Sequence, residues 1–200
     1  MTVPGGTAGG RTDRCGIMET LSRPVAPMLD PTVHAQLAAI LAPSSLLTAP
    51  EDTQPYECDG LTLYRERPAA VLLPETEAQV VAILALCHAA HVPVVARGAG
   101  TSLSGGAMPH AEGVVLSLAK FRRILAIDTL SRTAIVQPGV RNLAISEAAA
   151  PHGLYYAPDP SSQIACSIGG NVAENAGGVH CLKYGLTVHN VRRVRGVLVT

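Results

Sequence analysis

Tryptophan is absent from the 200 residues, and Phe121 is the only phenylalanine. Without large aromatics the core has to be built of Ala, Val, Leu and Ile, which suits helices and strands that cover one another in layers. Charge of either sign is also scarce: 15 basic and 15 acidic residues give a formal net charge of zero. No Lys/Arg run exceeds a pair such as Arg192-Arg193, so the clustered basic stripe that neutralises nucleic-acid phosphates is missing and nucleic acid is not an expected partner. No apolar stretch reaches the roughly 18 residues of a membrane span. The first 16 residues contain no apolar block of signal-peptide length, so export is not expected. The five cysteines, Cys15, Cys58, Cys87, Cys166 and Cys181, are odd in number and show no CxxC spacing. They read as reduced thiols of a cytoplasmic protein rather than a disulfide framework.

Two stretches hold glycine and other small residues at a density that helices and strands seldom accept. Residues 96–107 read ARGAGTSLSGGA, directly after the apolar Val92-Pro93-Val94-Val95. Residues 158–185 read PDPSSQIACSIGGNVAENAGGVHCLKYG, with two glycine pairs eight residues apart. Segments of this kind bring bare backbone against a ligand, and two of them imply a large, phosphate-bearing cofactor.

A length of 200 residues is that of one globular domain or two small lobes. Residues 1–30, rich in Gly, Pro and Thr, read as a disordered lead, with Met18 or Met28 as alternative starts. Residues 31–55 read as a helical segment, beginning with a helix after Pro31 that Pro43 stops. Residues 56–67 are polar and turn-like. A buried strand is expected at 69–73, then a helix to about residue 90 that opens on a Thr76/Gln79 capping box and carries Val80, Ile83, Leu84 and Cys87 as its apolar stripe. A second strand at 92–96 completes a parallel βαβ unit. Three short strands at 114–118, 124–128 and 133–137 suggest an antiparallel section. A helix from Arg141 to about Ala150 follows, stopped near Gly153. The last ten residues read as a strand without a later partner.

The first glycine loop fits neither familiar phosphate signature. A dinucleotide fingerprint starting at Gly98 and Gly100 needs glycine where Leu103 stands, and a nucleoside-triphosphate loop from Gly100 to Gly105 needs Lys-Ser/Thr where Gly106-Ala107 stands. Considered alone, this loop is either an anion cradle or a tight solvent turn. The paired glycines 169–170 and 177–178 favour the cradle, because a plain linker has no use for both pairs.

In this combination the sequence resembles the vanillyl-alcohol-oxidase-like flavoproteins, whose FAD-binding domain is of the p-cresol-methylhydroxylase type. The likeness covers residues 56–195. It rests on PVVARGAGTSLSGG, PDPSS, CSIGGNVAENAGG and HCLKYG, and it is strongest to the branch of FAD-linked subunits of bacterial glycolate oxidases, with D-lactate- and D-2-hydroxyglutarate-oxidising relatives next. The resemblance implies an α+β, two-lobed FAD-binding domain over 56–200, with a small parallel βαβ lobe and then a mixed or antiparallel lobe with helices. Against the family pattern the second lobe is expected to be incomplete and the substrate domain absent, as in a fragment, a frameshifted remnant or a split-gene product.

The resemblance also implies roles. Arg97, Gly98, Ala99, Gly100, Thr101, Ser102, Leu103, Ser104, Gly105 and Gly106 wrap the FAD pyrophosphate with main-chain donors. Pro158, Asp159, Ser162, Ser167, Ile168, Gly169, Gly170, Asn171, Asn175, Gly177 and Gly178 meet the ribityl chain, the pyrophosphate and the flavin edge. Tyr184 and Gly185 lie by the isoalloxazine or its support. Relatives that attach flavin covalently through this loop carry histidine where Thr101 stands, so FAD is expected to be held non-covalently. The implied reaction is hydride removal from a 2-hydroxy acid, glycolate or a D-lactate type, to the flavin. Other subunits are implied as partners, an iron–sulfur subunit among them, and with them a place at the inner face of the cell membrane. No catalytic residue and no metal site is expected in this chain, and turnover by it alone is expected to be weak or absent, so the alternative is a flavin-binding module without activity of its own. His88 and His91 lack a third ligand and read as helix-surface or helix-end residues. His180 is either a flavin contact or a packed imidazole, Asp159 either a ligand or a turn residue, and Glu174 the exposed face of a short helix.

Overall fold

The computed structural model describes residues 28–199. The lead expected over residues 1–30 falls outside them as far as residue 27, as do Cys15 and Met18. Helix α1 (Pro31–Ile40) starts where Asp30 Oδ1 accepts from the N–H groups of Thr32 at 2.8 Å and Val33 at 3.4 Å, with Pro31 at the first helical position. Strand β1 (Leu46–Leu47) and the single-turn helix α2 (Pro50–Thr53) follow. The segment 31–55 thus supplies a strand as well as helices.

Strand β2 (Ala70–Leu72) leads to helix α3 (Glu77–Ala89). The expected capping box closes α3: Thr76 Oγ1 accepts from Gln79 N, and Gln79 Oε1 accepts from Thr76 N. The Gln79 amide also donates to Ile40 O at 3.1 Å, which ties α3 to the end of α1. Ile83, Leu84 and Cys87 form the buried face, and burial pushes the Cys87 thiol pKa up.

Strands β3 (Val94–Arg97) and β4 (Val114–Ser117) complete a four-stranded sheet in the order β1-β2-β4-β3. β1 runs antiparallel to β2, while β2 and β3 both run parallel to β4, with Ala70 and Val94 opposite Val114. The expected βαβ unit is present, but its two strands do not touch. β4, expected in an antiparallel section, lies between them instead. Every residue of β4 is buried, which is the pattern of a strand covered on both faces in a parallel sheet. Its unbroken Val114-Val115-Leu116 run was the available signal. Leu37, Leu41, Ala70, Leu72, Ile83, Val114 and Leu116 form the core of this lobe.

The antiparallel reading holds for β5 (Ile124–Asp128) and β6 (Thr133–Val136), which pair as a hairpin. Helix α4 (Asn142–Ala149) ends in a short 3₁₀ turn and Gly153, in the left-handed conformation at φ +68°. Helix α5 (Ile168–Glu174) and the single-turn helices α6 (Cys181–Tyr184) and α7 (Thr187–Asn190) follow. A second core joins Val140, Ile145 and Ile168 to Ile124, Val136, Ala144 and Tyr156. Two cores give two lobes. Residues 191–199 form no strand, contrary to the sequence reading, and pair with neither sheet. They are held by Arg195 on Glu77 at 2.6 Å and by Val197 against the first core. Among the described residues no helix is long and apolar enough to cross a membrane.

Packing outweighs capping in this lobe. Ile83→Ala leaves a cavity in a fully buried site and is expected to cost about 3 kcal/mol, within the roughly 2–5 of such truncations. Thr76→Ala removes only an exposed cap and is expected to cost about 1 kcal/mol. Urea denaturation of both variants checks the ranking, and equal losses would refute it.

Candidate functional site: a cleft between two glycine loops

β3 delivers the first glycine loop from the edge of the four-stranded sheet. Its last residue, Arg97, is only 9% exposed. The guanidinium donates to Cys58 O at 2.7 Å and lies over the Tyr56 ring, 5.3 Å from its centroid. Burial pulls the Arg97 pKa below the usual arginine value, and Tyr56, Cys58 and Asp59 oppose that shift. The Arg97 side chain therefore braces the loop from behind. The brace sets two glycine positions. At Gly100 the backbone is left-handed (φ +69°), and a Cβ there would run into the Arg97 guanidinium. A Cβ on Gly60 would stand 2.7 Å from Ser102 O.

The second loop is anchored on the turn before α4. The N–H of Ile168 donates to Val140 O and that of Gly169 to Pro138 O, both at 2.8 Å. These bonds set the start of α5 beside the first loop. At Gly98 the two loops meet, for a Cβ on Gly98 would overlap Ser167 Oγ and approach Gly170 N at 3.5 Å. Farther along, a Cβ on Gly106 would stand 2.7 Å from Glu174 Oε1.

Between the loops lies an open cleft of about 170 Å³. It is lined by Gly98, Ala99, Gly100, Thr101, Ser102 and Gly106 on one side and by Ser162, Ser167, Gly170 and Asn171 on the other. Sequence reasoning missed Ala96, Ala107, Cys166, Ala173 and Ala176, and it left Glu174 aside as helix surface. Glu174 is exposed, as expected, and also lines this cleft. The alanines carried one usable signal: like the glycines, they leave backbone uncovered.

Apart from the Glu174 carboxylate beside Gly106, the groups that line the cleft are neutral, and several of them are donors. Among the described residues the N–H groups of Ala99, Gly100 and Thr101 have no protein acceptor. Ser167, 5% exposed, has a buried Oγ without a hydrogen-bond partner. That oxygen lies under Gly98 at the loop junction, and a buried hydroxyl left unpaired costs roughly 1–3 kcal/mol. No Lys or Arg lines the cleft. Backbone and hydroxyl donors arranged in this way suit the oxygens of a diphosphate.

The remaining candidates lie outside the cleft lining. Leu103, Ser104 and Gly105 form the outer bend of the first loop, where Ser104 N donates to Ser102 Oγ. Ile168 is in the second core, and Gly169 packs on Pro138. Pro158 is buried, with its carbonyl accepting from Asn142. Asn175, left-handed at φ +51°, accepts from Val188 N at 3.0 Å. Gly177 packs on Leu186. Gly178 lies against Asp159, where any side chain would collide. Asp159 also holds His180, its Oδ2 lying 2.6 Å from Nδ1. Tyr184 meets Tyr155 edge to face at 6.2 Å between centroids, with Gly185 after it at φ +79°. This second group, 155–159 with 177–185, is joined by contacts of its own and lines none of the cleft.

The hydrogen bond from His180 is the largest cause holding the Asp159 carboxyl below its ordinary pKa. A depressed carboxylate contributes stability above the unfolded value of about 3.9 and loses it as pH falls through the lower native one. Asp159, followed by carboxyl-carbon NMR, is therefore expected to titrate below pH 3.9 and to move back up in His180→Ala. An unchanged value in that variant would refute the pairing.

Comparison with known proteins gives the cleft its family. Residues 68–200 match the FAD binding domain model. The glycolate oxidase subunit GlcD of Escherichia coli K12 is 68% identical over 149 residues, which are 74% of this chain and 30% of that protein. The chain thus spans about a third of that relative's length. Alkyldihydroxyacetonephosphate synthase superposes with a TM-score of 0.73 at 21% identity, covering 81% of this chain and 32% of its own. p-Cresol methylhydroxylase superposes at 0.56 with 23% identity, covering 62% and 25%. These structural likenesses establish the α+β fold of the p-cresol-methylhydroxylase type. With its two glycine loops closing on one cleft inside the matched segment, the chain belongs to the FAD binding domain family.

Proposed function

We propose that this chain is the FAD-binding part of a flavoprotein that oxidises a 2-hydroxy acid, glycolate first and a D-lactate type second. The observation that carries the reading is the cleft where the two glycine loops meet, with the free N–H groups of Ala99, Gly100 and Thr101 on one side and Gly98 closing on Gly170. It is supported by the 68% identity to a protein named as a glycolate oxidase subunit. FAD, when bound, supplies the acceptor for a hydride from the α-carbon of the acid. The protein's part is binding and orientation. Ala99, Gly100 and Thr101 offer main-chain N–H groups, and Ser162 and Ser167 offer hydroxyls. Gly98 and Gly170 leave the room that a diphosphate needs. Pro158, Asp159, Gly177, Gly178, Tyr184 and Gly185 form the second group, along which the rest of the cofactor lies. The cofactor is held non-covalently, because Thr101 has no ring nitrogen to bond flavin carbon. The domain takes in residues 56–200, with 31–55 as a lead-in packed on the first sheet.

Assembly with further subunits, one of them carrying iron–sulfur clusters, belongs to the same reading, since the bacterial relative is itself named a subunit. A reducing cytoplasm suits the free thiols of Cys58, Cys87, Cys166 and Cys181.

The purified chain, reconstituted with FAD, is expected to show a bound-flavin spectrum and to release all of its flavin on acid precipitation. A colourless protein after reconstitution would end the reading, and flavin retained in the acid pellet would end its non-covalent part. Gly98→Ala drives a methyl into Ser167 and Gly170 and is expected to weaken FAD binding by about tenfold or more, roughly 1.4 kcal/mol for each factor of ten. Fluorescence titration measures it. Wild-type affinity in this variant would show that the loop junction is not where FAD sits.

A further inference from the structure

A polar cluster sits behind the cleft, and its central residue lines none of it. Asn142, the first residue of α4, is 1% exposed. Its Nδ2 donates to Asn171 Oδ1 at 2.9 Å and to Pro158 O at 3.1 Å. Asn171 in turn donates from Nδ2 to Cys166 Sγ at 3.3 Å. The backbone repeats the link, with Asn142 N donating to Cys166 O at 3.1 Å. One amide thus joins α4, the start of α5 and the Pro158 turn. Asn171 and Cys166 flank the cleft, and Ser167, with its unpaired hydroxyl, lies directly after Cys166.

The chemistry of the amide explains why this residue type is needed. Asn142 must donate two hydrogen bonds from one atom to two acceptors on different segments. An aspartate of the same shape has no donor there and would face two acceptors with a charge. Leucine would leave both acceptors buried and unpaired, at roughly 1–3 kcal/mol each. Asn142 Oδ1 itself is buried without a partner. A protein tolerates such a group where the other half of the side chain has a task.

We propose that Asn142 is a positioning residue for the cofactor: acting through Asn171 and Pro158, it sets Ser167 and Gly170 at the spacing the diphosphate requires without touching FAD itself. The inference rests on the FAD reading above. It also separates two roles that sequence alone would merge, since Asn171 lines the cleft and Asn142 does not.

The test uses the full chain as wild type, Asn142→Asp and Asn142→Ser. Far-UV circular dichroism and thermal unfolding are followed without FAD; FAD affinity and the visible circular dichroism of bound flavin are measured well below each unfolding midpoint. Asn142→Asp is expected to bind FAD at least about tenfold more weakly and to change the visible dichroism. Asn142→Ser, which keeps one donor, is expected to fall between it and the wild type. Should Asn142→Asp fail to fold, the serine variant alone decides, by a loss of a few-fold or more. A merely structural role would lower the unfolding midpoint while the folded protein kept wild-type affinity and dichroism, and that result overturns the proposal. Absence of FAD binding by the wild type would instead fell the reading on which it rests.

Discussion

Two stretches of backbone approach each other at Gly98 and Gly170 more closely than any side chain at Gly98 would permit, and the rest of the molecule is arranged to allow it. The contact is difficult to build. Each loop is held from outside as well as by its own few polar side chains. Arg97 and the Tyr56 to Gly60 segment hold the first loop. Pro138, Val140 and Asn142 hold the second. Buried polar braces of this kind are rarely found in a core of plain Val and Leu, and here both cluster behind the cleft.

The two cores set the distance between these braces. The parallel sheet fixes where β3 ends, and with it the position of Gly98, through the register of Val94 to Arg97 on Val114 to Ser117. The second core fixes the start of α5 through Ile168 beside Val140 and Ile145. Phe121 connects the two arrangements: its backbone O accepts from Gly139 N at 2.8 Å, and a Cβ on Gly139 would crowd the carbonyls of Leu118 and Phe121. The turn that anchors the second loop is thus pressed against the segment that leaves β4, the strand beside β3.

Local signals carried much of this. The Thr76/Gln79 capping box, the stop at Gly153 and the β5–β6 hairpin follow from side-chain chemistry within a few residues, and the structure has all three. Both glycine loops were legible as loops for the same reason. Strand partners were not: the short spacing to β5 put β4 in an antiparallel section, although its unbroken apolar run is that of a strand covered on both faces. The tail at 191–199 has β-forming residues yet pairs with neither sheet. Arg97 was expected to meet the cofactor through its main chain, and its side chain turns back to Cys58 O. Asn142 was invisible as a site residue because nothing in a single helix start distinguishes a brace from an ordinary polar residue.

The partnerless atoms show where the energy of the site resides. Ser167 Oγ and Asn142 Oδ1 are buried and unpaired in the same region. One such group costs about 1–3 kcal/mol, a sizeable part of the roughly 5–15 kcal/mol by which a domain is stable. A ligand at a hundred times its dissociation constant adds about 2.7 kcal/mol to the folded state. These quantities are comparable. Asn142 Oδ1, an acceptor outside the cleft lining, stays a cost that the fold carries, whereas an anion with several acceptor oxygens in the cleft gains from the free N–H groups of Ala99, Gly100 and Thr101. Binding and the stabilisation of the loop junction become one event, because the donors that a diphosphate needs belong to segments that only the full set of braces brings together.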